Sequence, residues 1–298
     1  MKKNDKQRFA RDKPLQGVRV LDLSKLLPGP FCSHYLAELG AEVVVVVPPF
    51  DHEVIHFPEL QKGKKKIVLD LKKKSDQDQL KKLIKKVDVL LEGFRPGVMK
   101  RLKIDFLTLQ KINPHLIFCS LTGYGQKAKD RAGHDLNYLA MTGFLRLLFG
   151  KQKSMIPGIP LADLIGGMNA ALSIVSQLYI PLKKRKAIHL DIAITDSVQK
   201  WMLPMSLEVQ EICRPLFEGQ VARYQIYETK DHRFLAVAPL EEKFWKKLLK
   251  MLEVPEKVII KGEKSLIQFF KQKISQKNAK ELNFLVEDPE LCISWVKS

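Results

Sequence analysis

His134 and Asp163 are the residues of this 298-residue chain whose types and settings best suit acid–base work at a single carbon. His134 sits in the stretch Gly133-His134-Asp135-Leu136-Asn137-Tyr138. Imidazole takes and returns a proton near neutral pH because its ordinary pKa lies there. A carboxyl group on the opposite face of the same carbon would complete a two-base exchange. Asp163 stands near the start of the apolar run Leu161 to Ile180, where free amides and the helix dipole favour an anion. A second reading follows from that position: Asp163 caps the helix, which would lower its pKa and weaken it as a base. Tyr138 falls one helical turn after His134 and can line the same pocket, with Asp135 and Asn137 beside it.

These residues need a frame, and the chain supplies an alternating one. Val18 to Leu23 reads as a strand, Phe31 to Leu39 as a helix closed by Gly40, and Glu42 to Val47 as a strand buried on both faces. The pattern continues with a strand at Lys66 to Leu71, a helix at Ser75 to Lys86 with Ser75 as N-cap, and strands at Val87 to Leu91 and Leu116 to Leu121. Helices follow at Asp135 to Leu148 and Leu161 to Tyr179, then a strand at His189 to Ile194 and a helix from Asp196. This predicts an α/β fold with a doubly wound, mostly parallel sheet. No GxGxxG follows the first strand, which removes support for the dinucleotide-binding version. Near Glu218 the texture changes. Two paired strands, Tyr224 to Thr229 and Arg233 to Ala238, and a helix at Glu241 to Leu252 predict a smaller α+β domain. The expected organisation is a disordered lead over 1–13, a large domain over 14–215 and a small one over 216–298 with a short tail holding one helix.

Lys+Arg 51 against Asp+Glu 33 gives a net charge of +18. Such a balance invites polyanions. The excess is mostly lysine in short runs such as Lys183-Lys184-Arg185-Lys186, aromatics are only 8%, and no zinc-ligand spacing is present, so nucleic acid is not the expected partner. These runs read as solvated surface. Cys32, Cys119, Cys213 and Cys292 lie far apart among apolar neighbours and read as reduced, buried thiols. The lead has no apolar core of a signal peptide, and the Leu161 run carries Asp163, Asn169 and Gln177, so it reads as a buried helix. The expected setting is cytoplasmic, with no membrane insertion.

Several words recur in an order that resembles the class III CoA-transferase family, and within it the α-methylacyl-CoA racemase branch. They are Gly17 to Ser24 (GVRVLDLS), Leu39 to Val43 (LGAEV), Lys64 to Leu71 (KKKIVLDL), Asp88 to Gly97 (DVLLEGFRPG), Asn113-Pro114 and Leu121 to Gln126 (LTGYGQ). The His134 word, GHDLNYLAMTG, is similar to the racemase branch. The resemblance implies an acyl-CoA ligand, α-proton exchange between His134 and Asp163, and a Glu241 that orients His134. It implies no metal and no cofactor beyond the CoA carried by the substrate. Arg95, at the carboxyl end of a strand, is the expected contact for the CoA phosphates, with Lys64 secondary. Homodimers that interlock are also implied. Two rivals stand beside the racemase: a CoA transferase with Asp163 as nucleophile, and a non-catalytic acyl-CoA-binding protein. Family chains usually run longer, so a weakened interlock is expected.

Overall fold

The computed structural model describes residues 13–50, 57–128, 131–149, 156–205 and 207–297. The charged lead up to residue 12 lies outside the described residues. The chain divides into two compact units, one taking the described residues up to Leu203 and the other those from Pro204. Composition placed that division at 215/216.

The first unit is built from β1 (Arg19–Asp22), α1 (Pro28–Glu38), β2 (Glu42–Val47), β3 (Lys65–Val68), α2 (Lys74–Ile84), β4 (Val89–Glu92), α3 (Val98–Arg101), α4 (Phe106–Leu109) and β5 (Ile117–Thr122). It continues with α5 (Asp135–Met141), α6 (Phe144–Phe149), α7 (Leu161–Leu178), β6 (Ile188–Ala193) and α8 (Ile194–Trp201). The six strands run parallel in the order β3-β2-β1-β4-β5-β6. The chain winds one way from β1 to β3 and the other way from β4 to β6. The crevice between β1 and β4 is therefore the switch point at which doubly wound sheets bind ligands.

Strand alternation fills both faces of this sheet. Val20, Val43, Val45, Val89, Leu91, Ile117 and Cys119 face one layer with Leu36 and Ile174. Leu21, Leu90, Leu116 and Phe118 face the other with Leu80 and Ile84. That two-sided burial is why β2 is an unbroken valine run.

The first unit departs from the sequence expectations in three places. The helix expected from Asp135 to Leu148 is broken into α5 and α6, with Gly143 between them at φ 79°. Lys73 holds the N-cap position of α2 without a side-chain cap, while the Ser75 hydroxyl bonds Asp76. Arg185, expected on a solvated run, is buried and pairs with Asp88 at 2.8 Å. Once a guanidinium can reach a carboxylate bidentately or through a single strong bond, it becomes the basic group best suited to burial.

The second unit holds α9 (Leu207–Phe217), β7 (Gln225–Glu228), β8 (Phe234–Val237), α10 (Glu242–Met251), α11 (Glu256–Ile260), α12 (Glu263–Ser275), α13 (Ala279–Glu287) and β9 (Ile293–Trp295). Its sheet is antiparallel in the order β7-β8-β9. The tail does more than the single expected helix, because β9 returns to pair with β8 over Leu235 to Val237. Tyr227, Trp245, Leu248 and Phe270 form its core.

Burial also sorts the cysteines. Cys32 and Cys119 are buried as expected, whereas Cys213 is half-buried and Cys292 exposed. Helix α7 buries Ala162, Ile165, Ala170 and Ile174 along one face. Its other face leaves Met168, Leu172 and Tyr179 exposed, so the expected buried helix is covered on one side only. By length and apolarity alone α7 could cross a membrane, but its buried face is part of the sheet's own core.

Candidate active site

A cavity of about 300 Å³ opens at the carboxyl ends of β1 and β4, at the switch point of the sheet. Ser24 and Lys25 line it after β1, Gly93 to Pro96 after β4, and Thr122 to Gly125 after β5. His134, Tyr138 and Asp163 close it from α5 and α7. His134, Asp163, Arg95 and Tyr138 are thus brought to one cavity, as the sequence led us to expect. Arg95 is exposed in the turn after β4. With Lys25 and Arg131 it gives the cavity three cationic groups around one carboxyl, a field that favours an anionic ligand.

Each residue of the His134 word has its own task. His134 is the N-cap residue of α5, in extended backbone, and its ring is exposed at the cavity. Asn137 Oδ1 accepts the His134 amide at 3.0 Å, which fixes the start of the helix that carries the imidazole. Tyr138 turns inward and its hydroxyl donates to the Gly133 carbonyl. Burial pushes its phenol up to about 12, so it remains a proton donor. The Tyr138 ring meets Tyr124 edge-on at 5.1 Å, and Arg131 lies over the Tyr124 face at 4.4 Å.

Asp135 reaches across to α7. Its carboxylate accepts the amide of Asp163 at 3.1 Å and also bonds the amide of Ala162. It thereby supplies the anion that the start of α7 attracts. Asp163 stands in the first turn of α7 but does not cap it, which removes the expected depression of its pKa. Burial and the charge of Asp135 instead push the Asp163 carboxyl up to about 7. A carboxyl balanced there can give a proton or take one at neutral pH.

Three of the expected binding residues do not line this cavity. Asp135 and Asn137 act on helix starts, as described. Lys64 is turned inward, donating to the Pro30 carbonyl at 2.9 Å and the Ser33 hydroxyl at 2.6 Å, beside the buried Asp22 carboxylate. Ser33 and Ser24 both donate to Asp22, so Lys64 helps to fix the loop from β1 to α1. Glu241 belongs to the second unit. It is the exposed N-cap residue of α10 and makes no side-chain cap.

Close approach depends on small residues. A Cβ at Gly123 would lie 2.5 Å from the Tyr138 ring. One at Gly167 would lie 2.5 Å from the Pro28 carbonyl, so that glycine lets α7 meet the start of α1 and sets where Asp163 enters the cavity. Tyr124 and Arg131 were missed from the sequence. Tyr124 sits in the TGYG word that ends β5, which could have marked it; nothing local marks Arg131.

A second, more apolar cavity of about 350 Å³ lies beside the first and shares Lys25 and Phe94 with it. Leu23, Val46, Leu69 and Leu102 form its floor, with Lys72 and Arg101 at hand.

A parallel doubly wound sheet, a cationic crevice at its switch point, and an imidazole and a carboxyl lining the same cavity define the class: an α/β protein with a ligand cavity at the carboxyl ends of its central strands. The chain belongs to CoA-transferase family III, whose family model matches residues 15–298. It is 32% identical over 304 residues to the alpha-methylacyl-CoA racemase of Homo sapiens, covering 95% of this chain and 77% of that one. It is 30% identical over 265 residues to the succinyl-CoA:glutarate CoA-transferase of Mus musculus, covering 82% of this chain and 61% of that one. A CAIB/BAIF family protein from Brucella suis has the same fold, with a TM-score of 0.81 at 22% identity over 97% of this chain and 85% of that one.

Proposed function

We propose that this protein is a racemase or epimerase of 2-methyl-branched acyl-CoA thioesters. The observation that carries the reading is that the His134 imidazole and the half-buried Asp163 carboxyl line one cavity. The α-proton beside a thioester carbonyl is weakly acidic. Its removal needs a positioned base, and inversion needs a second group to return a proton from the other side. His134 takes the proton from one enantiomer, the electron pair moves into an enolate, and the Asp163 carboxyl delivers its proton to the opposite face. The reverse reaction begins at the Asp163 carboxylate and ends at the His134 imidazolium. The two adjoining cavities suit the two ends of the ligand, with the reacting acyl group beside Asp163 and the nucleotide end over Leu23 and Leu69, its phosphates toward Lys25, Lys72 and Arg95. The protein is proposed to work as a homodimer, with the exposed face of α7 against a second copy.

The rival activity is CoA transfer with Asp163 as nucleophile; one of the relatives is a succinyl-CoA:glutarate CoA-transferase. The His134 imidazole on the same cavity, which a nucleophilic carboxylate does not require, favours the racemase. Substitution separates the two. His134→Ala should abolish isomerisation by a racemase, and a transferase should keep much of its activity. Retained transfer to an added carboxylic acid, with no isomerisation in the wild type, would establish the rival. Tight CoA-thioester binding with neither activity would mark a binding protein.

A further inference from the structure

A carboxyl, a hydroxyl and an imidazole stand together on one face of β4, β5 and β6, where Asp191 is the register partner of Ser120. Glu92 pairs with Ser120 in register, and Ser120's strand neighbour Phe118 pairs with His189. Glu92 and Ser120 are buried, and His189 is exposed on the edge strand. None of the three lines the cavity. The Ser120 hydroxyl lies 2.9 Å from His189 Nε2 on one side and on the other faces its register partner Glu92, whose ionised form it favours. The imidazole is held between Phe106, stacked at 5.4 Å, and Phe118, edge-on at 5.0 Å. Glu92 Oε2 in turn accepts the amide of Phe94 at 2.8 Å. Phe94 and Arg95 form the turn that walls both cavities.

A serine hydroxyl has one proton, so its two bonds are coupled. Either the Glu92 acid donates to Ser120 and Ser120 donates to His189, or His189 donates to Ser120 and Ser120 donates to the Glu92 carboxylate. We propose that Glu92, Ser120 and His189 form a proton-sharing chain, from the edge of the sheet to the Phe94 turn, that positions the ligand-binding wall of the cavity. These are positioning residues: they act through Phe94 and Arg95 and touch no reacting atom.

Other groups bias the chain. Burial and the Asp191 carboxylate push Glu92 up to about 7, and Glu92 in turn raises the buried Cys119 thiol. Burial lowers His189, against the pull of Asp191. Asp191 itself accepts the Gln126 amide at 3.1 Å, so it holds the turn after β5. The chain therefore changes state near neutral pH. An ionised Glu92 holds the Phe94 amide through a charge-assisted bond, stronger than the bond made by the neutral acid. The turn is then firmer and the ligand binds more tightly as the pH rises through about 7.

The inference rests on the CoA-thioester reading, and its test uses binding rather than turnover. The probe is free coenzyme A, titrated calorimetrically from about pH 6 to 8.5 into the wild type, Glu92→Gln and Ser120→Ala. In the wild type affinity should rise about fivefold across the step. Glu92→Gln should lose this component of the pH dependence. Ser120→Ala removes a bond that favours the carboxylate, so its step should move to higher pH. An unchanged step in Glu92→Gln overturns the inference, as does an unmoved midpoint in Ser120→Ala if the first variant fails to fold. Absence of coenzyme A binding in the wild type at every pH contradicts the proposed function itself, and removes the inference with it.

Discussion

Asp135 Oδ1 accepts the backbone amide of Asp163 at 3.1 Å, joining the residue after the proposed base to the proposed acid. One carboxylate caps α7, and burial together with the negative charge of that carboxylate keeps the other protonated into the neutral range. Replacing Asp135 with asparagine leaves a good cap but removes the charge. The Asp163 pKa should fall, and the limb of the pH–rate profile of kcat/KM that reports Asp163 should move to lower pH. An unmoved limb in Asp135→Asn would separate Asp135 from the acid. Asp135→Ala should in addition weaken folding by about 1 kcal/mol through loss of the cap.

The contribution of Glu92 to stability should fall as pH rises from acid to neutral. Its buried carboxyl is pushed from 4.5 up to about 7 in the folded chain. Below about pH 4.5 both states hold the proton and the contribution is complete; between there and about 7 only the folded state holds it, so stability is lost progressively. The loss amounts to about 3 kcal/mol once both states are ionised. Urea unfolding at pH 5 and pH 8 checks this. The wild type should lose more stability over that interval than Glu92→Gln, and equal losses would contradict the assignment.

The buried ion pair at the opposite end of the sheet is structural. Arg185 bonds Asp88 Oδ1 at 2.8 Å and Asp88 Oδ2 accepts the Arg19 amide at 3.0 Å, so the pair ties the entry to β6 to the starts of β4 and β1. Arg185→Ala leaves a partly buried carboxylate without its partner and should cost about 3 kcal/mol or more. Substitution of the neighbouring Lys184, which is exposed, should change stability by only about 0.5 kcal/mol or less. Comparable urea midpoints for the two variants would refute the distinction.

Gly123→Ala tests how tightly the cavity wall is packed. The added methyl would meet the ring of buried Tyr138, which is fixed by its bond to Gly133. Overpacking of this kind should cost about 1–3 kcal/mol and displace α5, with its His134. A lowered melting temperature with weakened coenzyme A binding is expected. Wild-type values for both would show that the ring gives way freely.

The exposed Met168, Leu172 and Tyr179 lie along one face of α7. If a second copy covers them, light scattering should give twice the mass of one chain, and Leu172→Asp should shift the protein toward monomer. A monomeric wild type at micromolar concentration would contradict the proposed dimer.

How much of this could be read in the sequence depends on the range of the interaction. The β2 valine run and the Gly40 stop are local signals, and both elements appear where expected. His134, Asp163 and Arg95 reach one cavity because each sits at or near the end of an element, where doubly wound sheets place their ligands, and Tyr138 follows His134 by one helical turn. The duties of Asp135 and Lys64 were not legible. Asp135 looks like a neighbour of the base, yet its partner lies on α7. Lys64 looks like surface in a lysine run, yet its partners are Pro30 and Ser33. Arg185 was hidden in the same way, since only the folded register brings it to Asp88. The β9 strand, only three residues long, pairs with β8, and no short-range pattern announces such a pairing.

The central claim is that His134 and Asp163 exchange the α-proton of an acyl-CoA. The most direct test is incubation of one enantiomer of a 2-methylacyl-CoA in D₂O with the wild type and with Asp163→Ala. Deuterium at the α-carbon with loss of chirality is expected in the wild type, and neither in the variant. Saturable thioester binding by the wild type without deuterium uptake would contradict it.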